Sequence, residues 1–234
     1  MSITKSSVNI IQLISSKDWP QLRSYVLQQT QSVLKVRTFE SALHYACKFH
    51  PPLYIVKCLY QAYPEAIFEQ DEKERYVLHI ACKHGCPPRI IEFLLQRNRA
   101  AAKKPDIKYL TPAHLACKSY VQKSGKGWDS ANRNLFEVMG LLFDAAPLSS
   151  TREDIKGMIA LNYAVDRKLS SVVIKYIQLV CDESKKELLD QSVDLAYDHG
   201  EKSKSITNAK EKFLSSSIRR RMFIGLHSFR ATAA

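Results

Sequence analysis

The sequence predicts an all-α protein, a solenoid of stacked helix–turn–helix units with divergent ends. The first observation behind this is a repeated phrase. Leu43-His44-Tyr45-Ala46-Cys47-Lys48 returns as Leu78-His79-Ile80-Ala81-Cys82-Lys83 and as Ala113-His114-Leu115-Ala116-Cys117-Lys118, the histidines 35 residues apart each time. A fixed period of about 20–50 residues marks a solenoid, in which each unit buries its apolar face only against its neighbours. The second is the helical spacing of apolar residues on either side of a proline break within each period. Glycine is also scarce, 7 in 234 residues, as a helical chain with short connectors requires.

Taken in order, Val8, Ile11 and Ile14 (or Leu13) start a capping helix pair over 8–30. Asp18-Trp19-Pro20 opens its second helix, with Asp18 as N-cap and Pro20 in the first turn, where a missing N–H costs nothing. Leu22, Tyr25 and Val26 continue the apolar face. Units then start near 36, 71, 106 and 154. In the first, the repeated phrase forms one helix, Pro51-Pro52 stops it, and Ile55, Val56, Cys58, Leu59 and Tyr60 line the next. Pro87-Pro88 and Ile90, Ile91, Phe93, Leu94 and Leu95 copy the plan. A divergent unit is expected over 190–214, and a basic tail over 215–234.

These residues resemble the ankyrin repeat, whose usual form is Asp-x-x-Gly-x-Thr-Pro-Leu-His-x-Ala before a second apolar helix. Thr111-Pro112-Ala113-His114-Leu115-Ala116 nearly matches it, and Asp71, Asp106 and Asp154 each stand eight residues before the histidine position. Gly157 matches the glycine, and Leu161-Asn162-Tyr163-Ala164 opens a fourth unit with Asn162 for histidine. The resemblance implies a structural histidine that hydrogen-bonds between loops, and a partner-binding face made by first helices and finger loops. Phe39, Glu74 and Tyr109 occupy the glycine position, where a turn with positive φ is costly, so less regular fingers are expected.

No apolar run approaches the ~18 residues of a membrane span. Val8 to Ile14 lacks a basic leader, so no secretory signal is expected. The six cysteines are then expected to be reduced thiols in a cytoplasmic or nuclear protein. A zinc site is not expected from His44, His79 and His114 beside Cys47, Cys82 and Cys117. Equivalent residues of stacked helices lie about 8–10 Å apart, whereas ligands of one zinc ion sit about 2.0–2.3 Å from it. Nothing resembles a nucleophile elbow or a phosphate-binding glycine loop, so neither an enzyme nor a cofactor is expected.

The net charge is +12, and residues 75–133 hold 12 basic against 3 acidic side chains, which points to an acidic partner or to solubility alone. Three features are candidates for recognition. Lys48, Lys83 and Lys118 fall at one repeat position, and Asp166 ends the line; they form either a binding row or a solvated face. Lys103, Lys104, Lys108 and Tyr109 lie beside them in the finger region. His114 and Asn162 are 48 residues apart, 13 beyond the period, and the excess over 119–134 holds Lys123, Lys126 and Trp128. Trp128 reads as a partner anchor or as a plug on its own repeat. In the tail, Leu214, Ile218, Met222, Leu226 and Phe229 recur every three or four residues opposite Arg219, Arg220 and Arg230, a basic amphipathic helix that is a cap first and a membrane or partner contact second. The reading is a monomeric scaffold or adaptor that binds an acidic or phosphorylated segment of another protein. Nucleic acid on the basic surface of 75–133 is the alternative.

Overall fold

The computed structural model describes residues 10–28, 35–37, 40–119 and 130–197. Among them, α1 (Ile10–Ser15) and α2 (Trp19–Val26) form the leading helix pair. A short antiparallel ribbon follows, β1 (Lys35–Arg37) with β2 (Glu40–Ser41). Four units then pair a short helix with a longer one: α3 (Ala42–Cys47) with α4 (Leu53–Ala62), α5 (Val77–Lys83) with α6 (Pro88–Arg97), α7 (Pro112–Ser119) with α8 (Ser130–Ala145), and α9 (Ala160–Asp166) with α10 (Ser171–Tyr197). The short helices α1, α3, α5, α7 and α9 stack in sequence as an inner layer, and α2, α4, α6, α8 and α10 stack as an outer one.

The core fills the space between the layers. Ala46, Ala81, Ala116 and Ala164 are buried at one position of the inner helices, small enough for neighbouring backbones to approach. Across from them lie Ile55 and Leu59, Ile90 and Leu94, Met139 and Leu142, and Val173 and Ile177, all buried. At the leading end the buried residues are Ile10, Leu13 and Ile14, with Ile11 half-buried; Val8 lies outside the described residues. Asp18 caps α2 as expected, accepting from the Gln21 N–H at 3.1 Å.

A left-handed residue stands two or three positions past the ends of α1, α3, α5 and α9: Lys17 (φ 59°), His50 (φ 55°), Gly85 (φ 66°) and Lys168 (φ 54°). The prolines then open the outer helices: Pro52 and Pro87 are the N-caps of α4 and α6, and Pro88 enters the first turn of α6.

The fingers between units are more regular than the sequence suggests. Glu74 (φ 57°), Tyr109 (φ 60°) and Gly157 (φ 69°) share one left-handed geometry although only one is glycine. The reason is the aspartate three residues earlier. Asp71 Oδ1 accepts from the N–H groups of Lys73 and Arg75 at 2.9 and 3.0 Å, and Asp106 and Asp154 grip the same two positions at 2.8–3.0 Å. Each carboxylate thus fills two backbone donors at once and fixes the turn against the strain. Phe39 lies outside the described residues.

Two sequence boundaries shift. Residues 130–134, taken with the insertion, open α8, which has 16 residues where α6 has 10. Residues 190–197, taken as the start of a divergent unit, complete the 27-residue α10. Along it, Ser184 Oγ donates to the Pro147 carbonyl at 3.2 Å and accepts from Ser150 Oγ at 3.1 Å, tying α10 to the preceding unit. Residues 198–214 and the tail over 215–234 lie outside the described residues.

The strain at the fingers is open to measurement by urea denaturation. Glu74→Gly should raise stability by about 0.5–1 kcal/mol by relieving the left-handed cost. Gly157→Ala should lower it by about 1 kcal/mol, through conformation alone, because an added Cβ would meet only Glu153 Oε2 at 3.9 Å.

Candidate functional site

The candidate site is the surface made by the exposed ends of the inner helices and the fingers beside them, and its frame is the histidine column. His44, His79 and His114 are fully buried. Each Nε2 meets a carbonyl of the following unit: Arg75 O at 3.2 Å, Lys104 O at 3.0 Å and Met158 O at 3.1 Å. A carbonyl can only accept, so Nε2 carries the proton and donates. Nδ1 accepts in turn, from Ser41 Oγ at 2.8 Å, from the Tyr76 N–H at 3.2 Å, and from Thr111 N–H at 3.2 Å and Oγ1 at 2.8 Å. His79 and His114 are therefore neutral, and all three rings are bonded on both nitrogens and joined to the next repeat. Burial is the main cause of the low His79 pKa, about 4. His114 is lowered for the same reason. Asn162 takes the position in the fourth unit, where its Oδ1 accepts from the Ile159 N–H at 2.8 Å.

The finger aspartates complete the frame. Burial alone would raise the Asp71 carboxyl, but the Arg75 guanidinium (Nη2–Oδ2 2.5 Å, Nε–Oδ2 2.9 Å) and two backbone N–H groups outweigh it and leave the pKa lowered. Asp154 is lowered likewise: Tyr163 donates to its Oδ2 at 2.5 Å, and burial with this bond pushes the Tyr163 pKa up to about 12. Neighbouring fingers are also sewn together, the Ile107 N–H donating to Lys73 O at 3.1 Å and the Ile155 N–H to Lys108 O at 3.3 Å. Exposed Lys73, Lys108 and Lys156 consequently line up along the fingertips, with Ile107, Tyr109 and Ile155 also exposed there. This row was readable two residues after each aspartate, a signal the sequence reading passed over.

The lysine column lies at the far ends of the inner helices. Lys48 is the C-cap of α3, half-buried with Nζ 5.0 Å from the Tyr45 ring centre. Lys83 is the exposed last residue of α5. Lys118 is half-buried near the end of α7, its Nζ 5.2 Å from the Tyr163 ring centre. Desolvation, then Arg75, Lys73 and Lys48, lower the Lys83 pKa. Desolvation, then Lys83, Lys48, His50 and Arg75, lower His84 to about 4. These cations share one field, and Lys73, Arg75, His50 and His84 join the site although sequence reasoning had not named them.

Lys103 and Lys104 end the 3-10 turn Arg99–Lys103, both exposed, with the Lys104 carbonyl taken by His79. That carbonyl bonds His79 in the first turn of α5, about one turn along the helix from Lys83. Lys123, Lys126 and Trp128 lie outside the described residues. The cysteines stand apart from any chemistry. Cys47, Cys82 and Cys117 are buried free thiols with raised pKa values, Cys82 and Cys117 through burial, Cys117 to about 12. Among the described residues no group of three His, Cys, Asp or Glu side chains is placed to hold a metal ion, and no helix is long and apolar enough to cross a membrane.

Two measurements test the frame. His79→Ala should cost about 1–3 kcal/mol, because it strands a buried carbonyl and N–H. His79 has a folded pKa of about 4, below its unfolded value of 6.5, so its contribution is complete above about pH 6.5 and is lost as pH falls toward 4. Wild type should therefore weaken across that window more steeply than His79→Ala. Separately, Cys47, Cys82 and Cys117 should react slowly with a thiol reagent until the protein is denatured; fast native labelling of all three would contradict their burial.

Comparison with known proteins agrees with this geometry. Residues 27–124 match the family model for ankyrin repeats (3 copies). No curated protein is matched by the chain. The fourth unit lies beyond the matched segment yet repeats its aspartate-held finger and left-handed turn residue. Ankyrin repeats mediate protein–protein interaction, and proteins built from them are typically non-enzymatic modules. Histidines bonded across successive repeat boundaries, aspartate-held fingers and the matched family model meet in one segment, and residues 27–124 of this chain are similar to ankyrin repeats.

Proposed function

We propose that the chain is a non-enzymatic adaptor that holds an acidic or phosphorylated segment of another protein along the inner-helix ends and fingers. The observation that carries this reading is the gathering of Lys48, Lys83 and Arg75 around His84, with Lys73 beside Lys83. Of these, Arg75 is neutralised by Asp71, while no carboxylate is paired with Lys83 among the described residues. An anion docked there would relieve the mutual repulsion of the cations and let His84 take up a proton, so binding should strengthen as pH falls from 7 toward 5. The stack supplies the surface already ordered, which lowers the entropy cost of capturing a flexible segment. Lys108 and Tyr109 at the fingertips, exposed Lys103 and Lys104, and half-buried Lys118 would extend that surface.

Nucleic acid is the second reading. Among the described residues of 75–133 the positive charge is divided between faces, which favours a peptide over a continuous phosphate track. Arg99 bonds Asp144 across two outer elements, Arg97 lies 3.7 Å over the Phe93 ring, and Arg89 stands exposed on α6. A phosphate track would show itself as a steep loss of affinity with salt and no preference among partner proteins.

The test is a triple substitution, Lys48, Lys83 and Lys118 each to Glu. Stability should stay within about 0.5 kcal/mol per exposed site, with a somewhat larger loss where Lys48 and Lys118 leave their tyrosine rings. Association with an acidic partner should slow at low salt, since charge steering acts on encounter. Unchanged binding of native partners would reduce the column to a solvated face.

A further inference from the structure

We propose that the free edge of α9 is the seat of the chain's own C-terminal amphipathic segment, residues 214–229. The edge is defined by contrast with the units before it. Cys47, Cys82 and Cys117 stand three residues after their histidines and are 0%, 3% and 0% exposed, each sealed in the stack of inner helices. Val165 stands three residues after Asn162 and is 53% exposed. Asn162 itself is exposed where the three histidines are fully buried, and Leu161, one turn before Val165, is half-buried where Leu43 and Leu78 are buried. The helix therefore presents a face composed for contact, with no further inner helix over it among the described residues.

The chain beyond Tyr197 has the length and the composition to cover this edge. It comprises 37 residues, close to one 35-residue period, and carries Leu214, Ile218, Met222, Leu226 and Phe229 at steps of four, four, four and three. It also has the reach. α10 has 27 residues and is about 40 Å long at ~1.5 Å per residue. Residues 198–213 can span about 50 Å when extended, enough to return from the end of α10 to α9.

Charge selects this edge over the rest of the surface. The column that reads Lys48, Lys83 and Lys118 becomes Asp166, exposed and without an ion pair among the described residues. Arg219 and Arg221 flank the apolar pair Ile218 and Met222, so a helix that seats those two on Val165 brings guanidinium groups to Asp166 and away from the lysines. A second copy docked edge to edge would instead oppose Asp166 to its counterpart, like charge against like.

Thiol labelling of the full chain tests the assignment, since the described native cysteines are buried. Val165→Cys should label at least ten-fold more slowly than Lys175→Cys, a reference on an exposed site of α10. Adding Ile218→Glu and Met222→Glu should bring the two rates together. Val165→Cys combined with Met222→Cys should also form an intrachain disulfide under mild oxidation, a readout that does not depend on the glutamate variants folding. Fast labelling of V165C in the otherwise native chain would overturn the proposal. Protection that survives the tail substitutions would overturn it too. Protection that grows with protein concentration would assign the edge to a second copy or to another partner.

Discussion

A buried imidazole can be satisfied in this fold only while it is neutral and only while the next repeat is in place. The Nε2 proton of His44, His79 or His114 has one destination, a carbonyl of the following unit, 3.0–3.2 Å away. Its Nδ1 lone pair is filled from the start of its own helix. The ring is thus a rigid spacer with a donor at one end and an acceptor at the other, and it sets how far apart successive fingers stand. The finger bonds from Ile107 to Lys73 and from Ile155 to Lys108 run at the same interval, so backbone and side chain agree on the pitch. The exposed cations owe their alignment to this interior geometry, since nothing about a surface lysine orders its neighbour one repeat away.

The finger shows a local preference yielding to a stronger contact. Glu74 and Tyr109 are poor choices for a left-handed residue, and a reading by propensity expects the turn to relax around them. Asp71 and Asp106 prevent this, each accepting two N–H groups that would otherwise be left open. Glycine at Gly157 is one solution to the turn, and an aspartate three residues upstream makes others tolerable. The same carboxylate in the first of these fingers also binds Arg75, so the residue that shapes the finger moderates the charge of the surface beside it.

The repeat phrase made most of the fold legible, because residues that recur at one position must meet the same surroundings in a stack. The helix pairs followed from spacing, the cap at Asp18 from its side-chain type, and the structural histidine from the resemblance. The details that escaped depend on contacts between residues far apart in the chain. Nothing local in Val193 or Ala196 reveals that α10 runs unbroken from Ser171 to Tyr197, or that Ser184 ties it to Pro147 and Ser150. The basic surface was half visible for a related reason. Lys48, Lys83 and Lys118 share a position and stand out, whereas His84 and Arg75 enter the field only because α3 and α5 pack side by side.

The connection between α7 and α8 carries one more implication. The chain spends 48 residues from His114 to Asn162, against 35 in the two intervals before. Even so, the Ile155 N–H still reaches Lys108 O, and His114 still reaches Met158 O, at the distances found elsewhere in the array. Pitch is therefore set along the inner edge, and the outer edge takes up differences in chain length without passing them on. The array is tolerant of grafts at that one seam: sequence can be gained or lost between the third pair of helices while the spacing of the fingers, and of whatever they hold, stays the same.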